Sequence, residues 1–292
     1  MTKLSIIIVS WNTQELLKKC LETILNYGKN IDYQLIIVDN NSKDKSQELL
    51  SKLMILNNKI EPIFNKKNFG FAKAVNQGLK RSRSEYILLL NPDTQIKSDT
   101  LGKSIEFMEQ NQHCGVMGGK ILNFDGSIQP SVRKFPSLWS QLFILLKVHQ
   151  FLKPNSIKDY FAFNFDYNKV QQVDQVMGAF FLIRKKILEI VGYFDERFFI
   201  WFEEVDFCRR AQNANWLIFY NPEAEILHVG GASFSQKTSF KNQWQFNKSL
   251  LYYFRKHHGF LIYCVLLFFT PLNLLLAVVT SFLPFLRKFK KI

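Results

Sequence analysis

The chain has 292 residues, 47% of them hydrophobic and 21% charged, with 38 Lys and Arg against 24 Asp and Glu. That length suits one large α/β domain, or one domain with an appendage, and the apolar content excludes global disorder. Cys20, Cys114, Cys208 and Cys264 are scattered without a CxxC pair, so neither a disulfide framework nor a structural zinc site is expected.

Strand-like sequence begins almost directly after Met1, which leaves no space for a signal peptide and puts the expected catalytic part on the cytoplasmic side. Residues 3–11 (KLSIIIVSW) form a β-branched run of the kind found in fully buried strands. From Thr13 a helix is predicted, with Leu16, Leu17, Cys20, Leu21, Ile24 and Leu25 at helical spacing. A second strand covers 33–38 and ends in the turn-rich DNNSKD. A helix over about 46–56, a strand near 61–65, a helix over 71–82 and a strand over 86–90 follow. This alternation predicts a mostly parallel sheet flanked by helices. Ligands bind beyond the carboxyl ends of such strands, so Asn12, Asp39 and Asp93 are site candidates by position. Residues 133–172 have an aromatic texture, with an amphipathic or interfacial helix expected over 138–152. A strand near 178–183 precedes FDERFFIWFEEVDFCRR, and 215–220 and 224–228 read as two closing strands.

Each motif has a functional and a structural reading. Asp39 either caps the following helix or accepts hydrogen bonds from a nucleobase or ribose. In NFGFAKAVNQG (68–78) the glycines serve turns and packing, or the helix start offers free amides to a diphosphate. Neither the Walker nor the GxGxxG pattern is present. Asp93 in NPD either ends a strand or holds a divalent cation, for which carboxylate oxygen is a suitable ligand. Glu203, Glu204 and Asp206 suit the first turn of a helix, but the aromatics around them also suit a carboxylate of raised pKa acting as a base. His228 gains meaning only if Asp93 comes close in space.

Taken in order, SIIIVSWN, VDNNSKD, NFGFAKAVNQG, LLLNPDT, MGAFFLIRK, GYFDERFFIWFEEVDFCRR and LHVGGAS resemble a family 2 glycosyltransferase of the GT-A fold, close to its bacterial rhamnosyltransferase-like branch. The resemblance spans about residues 4–234. It implies that Asp39 contacts the base of a nucleotide-sugar donor and that Asn12, Asn68 and Asn76 line the nucleotide pocket. Asp93 resembles the last residue of the family's DxD, which holds Mn²⁺ or Mg²⁺ on the diphosphate, with Asn91 where the first Asp usually stands. His228 resembles the histidine that completes the metal site, and Gly178 and Ala179 the segment beside the donor sugar. Glu204 takes the place of the catalytic base, with Glu203 as the alternative. The implied reaction is inverting transfer from a dTDP- or UDP-sugar, dTDP-rhamnose included, to a glycan or polyprenol-linked glycan in surface polysaccharide synthesis. A non-catalytic nucleotide-sugar binder or scaffold is the alternative.

The expected division is a catalytic domain over 1–235, with 133–172 as a variable acceptor- or membrane-facing segment, and a basic, apolar helical region over 236–292. After Glu225 there is no acidic residue, but nine Lys and Arg follow. Residues 260–283 are uncharged and long enough to span a bilayer, with Pro271 near the middle and basic clusters at both ends. Two basic ends disfavour a single span, so a hairpin or interfacial helix pair bent at Pro271 is predicted, on an anionic membrane surface. A buried core or dimer helix is the other reading. Nucleic acid is not expected as a partner, because the basic tail flanks an apolar run and offers no groove of stacking aromatics.

Overall fold

The structure is a computed structural model that describes residues 2–231 and 239–282. Lys237, the last two residues of LHVGGAS (Ala232 and Ser233) and the basic cluster 287–291 lie outside the described residues. The chain begins β1 (Leu4–Ser10), α1 (Gln14–Tyr27), β2 (Tyr33–Asp39), α2 (Ser46–Leu56), β3 (Ile60–Phe64), α3 (Phe71–Arg81), β4 (Tyr86–Leu90). These four strands are parallel, in the order β3-β2-β1-β4. Alternate residues of the apolar strands serve opposite faces. Ile6, Ile8, Leu35 and Ile37 enter one core, while Ile7, Ile36 and Val38 enter the other.

The second half departs from the parallel pattern. It runs β5 (Thr94–Ile96), α4 (Thr100–Gln110), β6 (Cys114–Leu122), β7 (Val132–Arg133), α5 (Leu138–Leu145), α6 (Asn155–Tyr160), β8 (Gln171–Gln172), β9 (Gln175–Val176), β10 (Phe180–Arg184), α7 (Ile187–Val191), α8 (Glu203–Asn213) and β11 (Leu217–His228). β10 inserts antiparallel between β4 and β6, and β11 lies beyond β6 with β5 and β8 paired to it. The two closing strands predicted from sequence are one strand. The register of β11 on β6 shifts between Asn221 and Glu225, where Pro222 cannot donate to the ladder. Gly119 of β6 faces this bulge, and a Cβ there would strike the Ala224 carbonyl.

The helix predicted over 138–152 is also shorter than expected. α5 starts at a capping box of Ser137 and Ser140 and stops at Leu145, because Lys147 adopts a left-handed φ of 57°.

Two helices follow, α9 (Ser239–His257) and α10 (Phe260–Phe282). The pair is a hairpin, but it does not bend at Pro271, which sits inside an unbroken α10. The reversal comes at Gly259, whose φ of 88° a residue with a side chain rarely adopts. Leu250, Tyr253 and Phe254 of α9 and Leu266 of α10 pack with Leu145, Phe198, Phe202 and Val205 in a third core. Buried Asp206 of α8 receives Arg210 Nε at 2.8 Å, Lys256 Nζ at 2.6 Å and His257 Nε2 at 2.7 Å. Asp195 binds Lys256 as well, at 2.9 Å, and Tyr252 Oη at 2.8 Å. The tail is thus clamped to the helix that carries the acidic motif.

Burial opposes the charge on Asp206, yet the His257 hydrogen bond and the Arg210 and Lys256 charges hold its carboxyl below the usual range. A depressed carboxyl supports the fold above its unfolded pKa and loses that support as pH falls through its folded one. Asp206→Ala is expected to lower unfolding stability by about 2 kcal/mol at neutral pH, since it leaves the partly buried Arg210 and Lys256 without their shared carboxylate. Urea denaturation at neutral pH checks this, and the gap to the parent should narrow in acid.

Candidate active site

The polar residues that end the parallel strands converge on one rim. Asp39, fully buried, accepts from Ser42 N at 3.0 Å and Gln47 Nε2 at 2.7 Å through Oδ1, while its Oδ2 has no partner. An orphaned, buried carboxylate oxygen is costly unless a ligand donor completes it. Asn12, at a φ of 51°, ties the neighbouring loops together: its Oδ1 accepts from Lys43 N at 2.6 Å and its N donates to Ser42 Oγ at 2.9 Å. Asn68 Oδ1 accepts from Asn40 Nδ2 at 3.0 Å and from Gly70 N at 2.9 Å. Asn40 holds the whole loop, since its Oδ1 also takes Phe69 N and Asn65 Nδ2. The reading from sequence passed over Asn40, although its place directly after Asp39 was a signal.

Two features expected at this rim are engaged, in whole or in part, within the protein. Asn76 is turned away into the protein, bonding Phe194 N and O and Glu196 Oε1, so it anchors the loop before α8 and leaves no polar atom for a nucleotide. At the start of α3, two amides are already engaged and those of Ala72 and Lys73 are left to the first turn. Gly70 N is taken by Asn68 and Phe71 N by the Phe199 carbonyl at 2.6 Å. Gly70, with φ 88°, lets Phe199 approach, because a Cβ there would strike its backbone oxygen.

Beyond β4, Asp93 and His228 come together. His228 Nε2 lies 3.3 Å from Asp93 Oδ1 and 3.4 Å from Asn91 Nδ2, with the imidazole ring and the carboxylate nearly buried. His228 Nδ1 is 2.6 Å from Gln129 Oε1, whose own Nε2 donates to Asn123 at 3.1 Å. With Gln129 accepting the Nδ1 proton, the Nε2 lone pair faces the Asp93 carboxylate. Two electron-rich atoms set against each other suit a divalent cation, and the orienting amide is the usual outer partner of a ligating histidine. Among the described residues no cluster of three or more His, Cys, Asp or Glu forms, so water and a ligand's oxygens would complete the coordination. Gln129 lies 99 positions from His228, beyond any spacing signal.

The acids of α8 stand on the other side. Trp201 and Phe202 take consecutive left-handed conformations, φ 67° and 68°, just before the helix. Such strain in bulky residues persists only where packing enforces it, and it sets Glu203 and Glu204 at the helix start. Glu204 Oε1 borders Gly178, 4.0 Å from where a Cβ would stand. The adjacent Ala179 carbonyl accepts from Asn91 N at 3.1 Å. Gly178 and Ala179 therefore bridge Glu204 to the Asn91–Asp93 turn.

Burial pushes both glutamates up, and their roles separate by their neighbours. Glu203 is raised well above the ordinary value by burial and by the charge of Glu204. Glu204 is raised by burial but opposed by the charge of Arg133. Glu203 is thus the more strongly raised of the two, and Glu204 the readier to ionise. Asp206, the third acid of the motif, is consumed by its ion pairs.

The model of the family described as "Glycosyl transferase family 2" matches residues 5–191. The chain belongs to that family. The N-acetylglucosaminyl-diphospho-decaprenol L-rhamnosyltransferase of Mycobacterium tuberculosis is 27% identical over 176 residues, 55% of this chain and 56% of that protein. The low-salt glycan biosynthesis hexosyltransferase Agl10 of Haloferax volcanii is 26% identical over 229 residues, 77% of this chain and 66% of that protein. The chain therefore spans only part of the length of these relatives. Among solved structures, GalNAc-T7 with UDP, GalNAc and Mn²⁺ superposes with a TM-score of 0.60 over 78% of this chain and 44% of that one, at 12% identity. At that identity the likeness establishes the GT-A-like fold alone.

Glu203→Gln replaces a neutral acid with a neutral amide. Above the ordinary glutamate value of 4.5 the unfolded parent ionises while the folded one stays protonated, so the parent loses stability as pH rises. The variant should melt above the parent at pH 8, with the difference closing toward pH 4.5 in a calorimetric series.

Proposed function

We propose that this family 2 glycosyltransferase is an inverting, metal-assisted enzyme that uses a dTDP- or UDP-sugar, dTDP-rhamnose among the candidates. Its acceptor is the hydroxyl of a glycan carried on a polyprenol diphosphate, presented at the cytoplasmic face of a membrane. One observation carries the reading: Glu204 Oε1 borders the open side of Gly178 while Ala179 hydrogen-bonds Asn91, so the acid and the Asp93–His228 pair flank one short segment. The names of the mycobacterial and archaeal relatives support a glycan acceptor, the former on a diphosphate-linked polyprenol.

In this reading the Asp39 Oδ2 accepts the imide proton of a pyrimidine base, and Asn12 and Asn68 hold the loops that frame it. Asp93 and His228 would hold Mn²⁺ or Mg²⁺, which supplies Lewis-acid neutralisation of a departing diphosphate. Asn91 contributes an amide where a second carboxylate would add charge. Glu204 takes the proton from the acceptor hydroxyl as its oxygen attacks the anomeric carbon, opposite the leaving group. The sugar passes directly to the acceptor, and no sugar–enzyme bond forms. The family's Gly178–Ala179 segment leaves space for the donor sugar beside that carboxylate.

Nucleotide release from a panel of UDP-, dTDP- and GDP-sugars, with a polyprenol-diphosphate glycan acceptor, tests this. One donor should turn over with Mn²⁺ or Mg²⁺ and not with EDTA, and Glu204→Gln should cut the rate by about 10²- to 10⁴-fold. Because burial raises Glu204, the rate should fall on the acid side above the ordinary glutamate range. Arg133→Ala removes the opposing charge and should move that acid limb to higher pH. Asn91 favours one rival, a binder without turnover. Calorimetric nucleotide binding with no release from any donor–acceptor pair would establish it.

A further inference from the structure

We propose that α10 lies in the plane of an anionic lipid leaflet, its outer face in the acyl boundary and the basic stripe of α9 beside it on the headgroups. The proposal rests on the membrane reading above for its purpose, and it specifies the surface and its geometry.

On α10 the buried side mixes Leu266 with polar residues, while the exposed side is wholly apolar. Its inward residues include Thr270, Asn273 and Ala277, and Asn273 is 1% exposed. Asn273 accepts from Asn247 Nδ2 of α9 at 2.9 Å and donates to the Leu145 carbonyl of α5 at 2.6 Å. The opposite side carries Leu261, Val265, Phe268, Leu272, Leu275 and Val279, with Leu261 81% and Phe268 78% exposed. A helix of a water-soluble domain turns its apolar side inward and its polar side out. Here polar groups pair inside and hydrocarbon faces outward, as in helices solvated by lipid.

Position along α9 decides between crossing and lying flat. The Asn247–Asn273 bond sets the two helices side by side near their middles, so α9 covers α10 on its inward side. Lys241, Trp244, Lys248 and Arg255 are exposed on α9 at helical spacing along that same stretch. A perpendicular α10 would draw these cations into the hydrocarbon, at several kcal/mol for each central charge. In the membrane plane they sit at headgroup depth, with Trp244 49% exposed in the interfacial position tryptophan prefers.

A second copy of the chain fits this face less well. α10 has no charged residue from Phe260 to Phe282, hence none of the flanking ion pairs that register a coiled coil. Leu267 is also exposed, at 43%, which broadens the apolar band beyond a narrow seam. Two like-charged α9 stripes would repel across a dimer, whereas an anionic leaflet attracts both stripe and face.

Full-length protein without detergent should float with vesicles of phosphatidylglycerol and phosphatidylcholine. Lys248→Gln with Arg255→Gln should weaken partition about thirtyfold. Leu261→Ser, Phe268→Ser and Leu275→Ser together should abolish it while melting temperature and nucleotide release hold, since all three side chains are exposed. Spin labels on cysteines replacing the same three residues, in a Cys264→Ser background, should report one shared, shallow depth. Graded depths with a maximum near position 268 would overturn the in-plane geometry in favour of a span. Failure of the parent to float would overturn the docking surface, as would a triple variant that floats normally but turns a dimer into a monomer. Flotation does not require turnover: protein that floats yet releases no nucleotide undermines the transferase reading alone, and active protein that never floats undermines this one alone.

Discussion

The insertion of β10 between β4 and β6 is the constraint on which the site depends. Its antiparallel pairing sets Phe180 opposite Leu90, so the segment just before β10 lies against the turn just after β4. The Asn91–Ala179 backbone bond closes that corner. Asp93 can then meet His228 from the end of β11, while Gly178 supplies the contact with Glu204. Residues more than a hundred positions apart are brought to one rim by the ladder.

Charge is handled differently on the two sides of that rim. Asp39 keeps one oxygen satisfied and one unpartnered, a state that a donor N–H would complete. Glu203 and Glu204 begin a helix, where negative charge is favoured, yet burial raises both. Asp206, two residues on, is fully buried too and stays below the usual range, because Arg210, Lys256 and His257 surround it. Three acids within four positions are therefore shifted differently, according to the side chains that reach them. Lys256 and His257 belong to the tail.

That dependence makes the tail more than an attachment. Lys256 joins Asp206 and Asp195, and Ser249 Oγ donates to the Ile200 carbonyl at 2.7 Å, in the segment whose strained Trp201 and Phe202 precede the acids. The same two helices turn apolar surface outward. A surface suited to a lipid leaflet and the conformation of the acidic motif thus share one scaffold.

The alternating first half was legible as strands and helices because β1, β2 and β4 are buried on both faces and the helices α1 and α3 keep an apolar stripe. The sequence by itself also determined Asp39, Asp93 and the Glu203–Glu204 pair as candidates, since chemistry-bearing residues at strand ends and helix starts are local signals. Ordered motifs likewise carried the family. Only the tertiary structure decided that Asn76 serves the loop before α8, that Phe199 and Asn68 occupy the first amides of α3, and that Asn40 and Gln129 complete the framework. It also moved the tail's reversal from Pro271 to Gly259 and placed polar Asn273 inward. The reason is common to all of these. Periodicity records which side of an element is apolar, but the hydrogen-bond partner of a polar side chain is set by whichever distant segment packs beside it.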